Sequence, residues 1–288
     1  MRSRWQDVLL FLGPMVLGLL IFNYIPMAIS LYLSFTRWNL LGVPKWVGFQ
    51  NYQALSHDAN FWMTLSNTLL FVVGSVTLEV LLSLFVACAL AQVTRGRRMF
   101  EAIFFLPVLT PMVALALVWG WMLDPVTGGL NQALKLVGLT GHAWLYEPGW
   151  AMLCVILLRV WKEMGFTTLL LWSGLQAIPK EYFEAAKLDG AAGLKQFFKI
   201  TLPLLSPILF FVTTMSFIGA FQAFDSIYLL TQGGPQNTTQ VLVFWIFKNA
   251  FAFYKVGEAS ALAYVLFAII ASITLIQWFT RRRWVHSE

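Results

Sequence analysis

Charge is scarce in this sequence: Asp, Glu, Lys and Arg make up 11% of its 288 residues, against roughly 25% in an average soluble domain. That shortage, with 59% hydrophobic residues and a mean hydropathy of +0.73, argues against one large soluble core and for a chain that crosses a membrane repeatedly. Cysteine is nearly absent. Cys88 and Cys154 both fall inside apolar runs, with no C-x-x-C pair and no zinc spacing, so they read as small buried hydrophobes. His57, His142 and His286 are too scattered to hold a metal. There is no G-x-x-x-x-G-K-[ST] loop, so no ATP binding is expected on this chain. An H-E-x-x-H pair and a Ser/His/Asp set near the interface are also missing, which argues against a membrane enzyme. Neither an internal repeat nor a low-complexity tract occurs. The net charge of +6 does not indicate nucleic acid, because the cations sit in short clusters between apolar runs, as basic cytoplasmic loops do.

What is present is a series of apolar runs, and a helix needs about 20 residues to cross the hydrocarbon core. Residues 8–35 contain no Asp, Glu, Lys or Arg, and the run is too long for a signal-peptide core, so it is expected to be retained. Residues 61–93 are apolar apart from Glu79; 102–123 are uncharged; 150–175 are apolar around an island of Arg159, Lys162 and Glu163. Residues 202–224 are uncharged and continue apolar to about Leu230, and 259–280 are uncharged. These runs predict an all-α membrane protein with six transmembrane helices. With the N-terminus inside, twelve Lys and Arg fall in the inner segments (Arg2, Arg4, Arg95, Arg97, Arg98, Lys180, Lys187, Lys195, Lys199 and Arg281 to Arg283) and five in the outer ones (Arg37, Lys45, Lys135, Lys248 and Lys255). That bias predicts both termini in the cytoplasm. Small residues at helical spacing (Ser83, Ala87 and Ala91; Gly219 and Ala223; Ala259 and Ala263) predict close helix packing. Pro14, Pro26, Pro107 and Pro111 are expected to kink helices or mark their ends. The expected divisions are 1–60, the first helix and first outer loop; 61–281, a five-helix core with an inner loop at 176–200; and 282–288, a cytoplasmic tail.

The inner loop is amphipathic. Pro179 can open a helix, Gly190 is a natural terminator, and Tyr182, Phe183, Ala186 and Leu188 supply apolar contact while the charges stay solvated. Such a segment lies along the membrane surface or docks into a partner. Its residues Glu184-Ala185-Ala186, then Asp189 before Gly190, then Ile200, Leu202 and Pro203, resemble the EAA signature of ABC importer permeases: Glu-Ala-Ala, three residues, Gly, nine residues, Ile-x-Leu-Pro. Two outer segments narrow the likeness. Residues 46–52 resemble the "VGxxNY" pattern, and residues 230–239 the "LTxGGPxxxT" loop, of carbohydrate-type permeases such as the maltose and glycerol-phosphate components. Ala250-Phe251, Gly257 and Ala259 to Ala261 resemble the approach to their last helix.

This resemblance implies a type I ABC importer permease fold with a cytoplasmic coupling helix at Glu184 to Gly190, in a bacterial inner membrane. It implies a heterodimer with a second, homologous permease subunit, a dimer of cytoplasmic ATPase subunits that carry the ATP and Mg, and a periplasmic solute-binding protein. This chain would itself hold no cofactor or metal and have no catalytic residue.

Charges inside a membrane are functional candidates. Arg159, Lys162 and Glu163 share a helix face by their i, i+3 and i+4 spacing. They would line a solute path, or form a structural ion pair against the partner subunit. Gln222 and Asp225 stand equally open between the path and a structural role, and Trp161 and Phe221 could stack on sugar rings. Glu79 is alone in its span and reads as a structural hydrogen-bonding group. A secondary transporter is the rival mechanism; it would show broken helices in repeated halves and no partner loop.

Overall fold

The protein is described by a computed structural model covering residues 4–93 and 96–283. Arg2, Arg95, His286 and residues 284–288 of the expected tail lie outside the described residues. The chain runs α1 (Arg4–Leu19, continuing through a π-helical turn at Leu20–Tyr24 into Ile25–Ser34), a two-stranded ribbon of β1 (Thr36–Arg37) and β2 (Lys45–Trp46), then α2 (Gln50–His57) and α3 (Ala59–Gln92). Next come α4 (Arg97–Leu109), α5 (Met112–Met122), α6 (Gly129–Leu136), α7 (Trp150–Ala177) and α8 (Lys180–Leu188). Last are α9 (Leu194–Gln196, a π-helical turn at Phe197–Thr201, then Leu202–Phe221), α10 (Asp225–Leu230), α11 (Leu242–Phe247 with a π-helical turn at Lys248–Ala252) and α12 (Val256–Thr280).

Among the described residues, α1, α3, α9 and α12 contain four stretches long and apolar enough to cross a membrane; the pair α4–α5, bent by 105°, makes a fifth if taken as one broken span. Helix α7 is 28 residues long, but three charges interrupt its apolar run.

Proline shapes these helices. It has no N–H for an i→i−4 bond, and its ring presses on the carbonyl four residues back. Two of the π-helical turns sit just before such a proline. Ile25, ahead of Pro26, donates its N–H to Leu20, and Leu202, ahead of Pro203, donates to Phe197. Widening the turn keeps both helices continuous. At Pro111 the outcome differs. Thr110 is driven to φ −80° and ψ 132°, the extended conformation favoured before proline, and the span breaks. The fifth apolar run is also shorter than expected. Helix α9 stops at Phe221, and a separate short helix begins at Asp225.

The chain divides into two compact units, one within Met1–Trp62 and Trp245–Ala268, the other within Met63–Phe244 and Ile269–Glu288. In the first unit, the segment at 46–52 works as a staple. Asn51 is buried and donates from Nδ2 to the carbonyls of Ser34 (2.8 Å) and Thr36 (2.9 Å), satisfying groups that the end of α1 would leave open. Tyr52 adds a hydroxyl bond to Ser34 Oγ at 2.8 Å. Gly257 lies so close to this turn that a Cβ there would strike the carbonyl oxygen of Thr36.

In the second unit, Ala87 of α3, Leu171 of α7, and Leu205, Leu209 and Val212 of α9 form a buried cluster, with Leu202 packed at its edge. Close approach is bought by missing side chains. Gly174 faces Leu205 and Ile208, and a Cβ on Gly165 would fall on the carbonyl oxygen of Phe104 in α4. Of the predicted small-residue face on α3, Ser83 and Ala87 are fully buried while Ala91 is exposed. Ser83 donates its hydroxyl to the Met164 carbonyl at 3.1 Å.

The Gly165 contact is testable. Gly165→Ala forces α4 and α7 apart and should destabilise the protein by roughly 1–3 kcal/mol, the range for overpacking. Gly13→Ala, where a Cβ meets nothing within 4 Å, should leave the unfolding temperature of the purified protein unchanged or slightly raised. Equal effects from the two substitutions would show that α4 and α7 do not meet at Gly165.

A buried ion pair and the cavity beside it

Three helices of the second unit meet at Glu79. Its carboxylate Oε2 accepts from Arg159 Nη1 at 2.7 Å. Oε1 accepts from the hydroxyls of Thr167 (2.8 Å) and Ser216 (2.6 Å). Arg159 uses Nη2 on the Ser216 carbonyl at 3.2 Å. Glu79 is 2% exposed and Arg159 7%, so each is a charge that would be unstable at this depth without the other. The sequence pattern permits the meeting. Gly219 presents no side chain, and an ideal Cβ there would come within 3.4 Å of Arg159 Nη2. Arg159 and Thr167, eight residues apart on α7, approach the same carboxylate.

This bears on two expectations. Glu79, the one charge of its own span and hydrogen-bonded as expected, has a counter-ion as well: Arg159, eighty positions along the chain on α7, lies across from it. Arg159 has its counter-ion within this chain, so it does not need one from a partner subunit.

Lys162 has a different job. Its ammonium donates to the carbonyls of Thr110 (3.0 Å) and Val108 (3.4 Å). These carbonyls lie where Pro111 interrupts α4, and a cation at a helix C-terminus is favoured by the helix dipole. The break and the lysine therefore complement one another: unpaired carbonyls at membrane depth are costly, and Lys162 satisfies them.

The pair borders a cavity of about 370 Å³ lined by Glu79, Arg159, Lys162, Glu163, Gln222 and Asp225 among others. Five of the six path candidates thus converge, from α7 and from the break between α9 and α10. Trp161 does not join them. It projects on another face of α7, is 39% exposed, and packs near Trp119 with ring centroids 5.8 Å apart. Phe221 is 2% exposed and is also outside the lining. Sequence reasoning missed Thr167 and Ser216, which are unremarkable as residue types. The signal available was the pair of opposite mid-span charges, one per helix.

The inner loop is a second site. Helix α8 starts after Pro179 and carries Glu181 in its first turn and Lys187 in its last, as the helix dipole favours. It ends in a Schellman turn. Gly190 has φ +73°, Ala191 N–H bonds Ala186 O at 2.8 Å, and Gly190 N–H bonds Lys187 O at 3.1 Å, the two bonds that define this cap. Ala186 is buried against the turn, whereas Glu184, Ala185, Asp189 and Leu188 are exposed, Leu188 to 90%. Although the residues beyond Gly190 are amphipathic enough to suggest a second short helix in the loop, they form no separate one. Leu194 to Thr201, which includes Ile200, runs directly into the span, and Leu202 and Pro203 belong to that same helix α9.

Against known proteins, residues 79–283 match the family described as "Binding-protein-dependent transport system inner membrane component". The chain is 38% identical over 283 residues to a probable ABC transporter permease protein, YesP, of Bacillus subtilis (strain 168), covering 96% of this chain and 91% of the relative. It is 34% identical over 272 residues to the trehalose/maltose transport system permease protein MalF of Thermococcus litoralis, covering 93% and 90%. Among solved structures, it is similar to a chain of a bacterial ABC transporter involved in the import of the acidic polysaccharide alginate, with a TM-score of 0.83, 26% identity, and coverage of 97% and 98%.

The ion pair makes a quantitative prediction. Glu79→Ala or Arg159→Ala alone strands a buried charge and should cost about 3–5 kcal/mol. Replacing both, as Glu79→Leu with Arg159→Met, should recover much of that loss. Unfolding of the purified singles and double gives the coupling; strictly additive losses would mean that the two charges do not interact.

Proposed function

The chain belongs to the binding-protein-dependent inner membrane component family, and on that basis we propose that it forms half of the transmembrane path for a carbohydrate or related polyol or glycerol-phosphate solute. It is the permease of a binding-protein-dependent ABC importer, a multi-pass inner-membrane transport subunit. The remaining assembly is inferred from the family. A second, homologous permease completes the path, two ATPase subunits bind ATP and Mg in the cytoplasm, and a periplasmic binding protein delivers the solute. The ATPases close on ATP, α8 moves with them, and the bundle rocks between inward-facing and outward-facing states.

The observation that carries the coupling role is the exposed, Schellman-capped helix α8. An isolated nine-residue helix is marginal in water, and Leu188 gains nothing by standing 90% exposed unless a partner covers it. Glu184 and Asp189, both exposed, would then meet basic groups of the ATPase. Leu202, at the edge of the buried cluster, ties the loop's second half to the bundle core.

The solute path is placed at the cavity beside the ion pair. Arg159 is neutralised by Glu79, and Lys162 is held by two carbonyls. Glu163 and Asp225 have no ion-pair partner among the described residues, and with Gln222 they line the cavity. Carboxylates and amides accept hydrogen bonds from hydroxyl groups. The two carboxylates repel phosphate, so this half of the path favours an uncharged sugar or polyol over glycerol phosphate.

Six spans are proposed, with α7 as the sixth. Its charges are compatible with a span because Arg159 and Lys162 are satisfied inside the bundle and Glu163 faces the cavity rather than lipid. The basic bias supports both termini in the cytoplasm. A reporter fused after Ser287 should be active only in the cytoplasm, and periplasmic activity would refute the topology.

For coupling, Gly190→Val meets no neighbour, since nothing lies within 4 Å of a Cβ there. The strain is in the backbone alone, about 1–2 kcal/mol for a side chain held in the left-handed region. Gly190→Val should leave membrane insertion intact and lower either the co-purified ATPase or the hydrolysis stimulated by the binding protein. Gly190→Asn, which tolerates positive φ, should be milder. Wild-type association, stimulated hydrolysis and uptake for the valine variant would remove α8 from the coupling mechanism.

A further inference from the structure

Cations are few on the outer side of this protein, yet three of the five expected there, Arg37, Lys45 and Lys255, line one hollow of about 420 Å³ in the first unit. The ribbon register sets Arg37 directly opposite Lys45. Like charges facing each other across a strand pair are unfavourable, and among the described residues neither Arg37 nor Lys45 has an ion-pair partner. Arg37 makes a long bond, 3.4 Å, to Gln50 Oε1. The one acidic residue in the lining is Glu258, which is paired with Lys255 at 3.0 Å. With three cations against one carboxylate, the hollow keeps two positive charges.

Its surroundings indicate where an anion would come from. The ribbon begins two residues after α1, whose apolar stretch is 0% buried within the chain. Tyr32 of α1 lies 5.8 Å from the ring of Trp46, which is 63% exposed, and Trp38 is in the lining. Aromatic side chains of this kind sit at headgroup depth. A phospholipid lying along α1 would place its acyl chains on the exposed apolar helix and its phosphate between Arg37 and Lys45.

We propose that this hollow binds the phosphate of an anionic phospholipid, relieving the Arg37–Lys45 repulsion and fixing the ribbon at the outer interface. The site is separate from the cavity beside Glu79 and does not depend on the transport reading.

The test is thermal unfolding and native mass spectrometry of the purified full-length protein in detergent, with phosphatidylglycerol, phosphatidylcholine or inorganic phosphate added. Phosphatidylglycerol should stabilise the protein and remain bound, with phosphatidylcholine much weaker. Each of Arg37→Gln, Lys45→Gln and Lys255→Gln should weaken phosphatidylglycerol binding about fivefold, the effect of one cation near an anionic lipid. Lys135→Gln, outside the hollow, should not. Lys45→Glu separates a lipid site from a purely structural one. It replaces a repulsive cross-strand pair by an attractive one, so the lipid-free protein should become more stable while the phosphatidylglycerol effect disappears. Equal binding of the two lipids, or binding unchanged in the hollow variants, overturns the proposal. Inorganic phosphate alone giving the same stabilisation, lost in the same variants, overturns the lipid assignment in favour of a soluble anion.

Discussion

The second unit is organised around one constraint: a guanidinium at membrane depth must be neutralised and hydrogen-bonded on the spot. Arg159 meets it through Glu79 and the Ser216 carbonyl, and Glu79 is completed by Thr167 and Ser216. That arrangement pins α3, α7 and α9 at one level and in one rotation, because a slip of α3 or α7 would strand a charge and a slip of α9 would remove both bonds made by Ser216. Apolar packing by itself is permissive. The cluster of Ala87, Leu171, Leu205, Leu209 and Val212 could accept small rotations of its helices; the carboxylate could not. The cavity inherits its position from this, since its polar wall is the same pair.

A related constraint acts on the backbone. Where regular helix fails in a low-dielectric setting, each freed N–H or C=O needs another partner. The solutions here differ with the local sequence. Before Pro26 and Pro203 the helix widens into a π turn and stays continuous. At Pro111 it breaks, and Lys162 takes up two of the carbonyls there. At the end of α1 the side chain of Asn51 does so. At Gly190, at the water-exposed loop, the chain caps itself through a left-handed glycine. Residues that look like family signatures, such as Asn51 and Gly257, are thus accounted for by local geometry, independently of any contact with solute.

These cases also separate what could be anticipated. Gly190 was legible because a terminator after an amphipathic stretch has one common conformation, and the φ of +73° agrees with it. The convergence of Arg159, Lys162, Glu163, Gln222 and Asp225 was partly legible, because charges and amides in apolar runs tend to face inward. Trp161 was not, since helical spacing alone does not say which face of α7 meets the bundle, and an aromatic ring is at home on either. The break after Phe221 was not legible either: residues 222–230 remain apolar enough to read as more of the same helix.

By itself, the sequence determined that the chain is a multi-pass membrane protein with an amphipathic loop, because hydropathy and the loop signature are properties of residues in series. It also marked Pro26 and Pro111 as points where regular helix is disturbed, because proline acts on its own turn, whereas Pro14 and Pro107 lie inside helices. Only the tertiary structure decided that Glu79 and Arg159 are partners, that Lys162 donates to the carbonyls at the break before Pro111, and that Arg37, Lys45 and Lys255 share one hollow. Apart from Arg37 and Lys45, neighbours on one ribbon, these groupings join residues tens to hundreds of positions apart. Their charges make them need partners, but which partner they find depends on how the helices are turned toward one another.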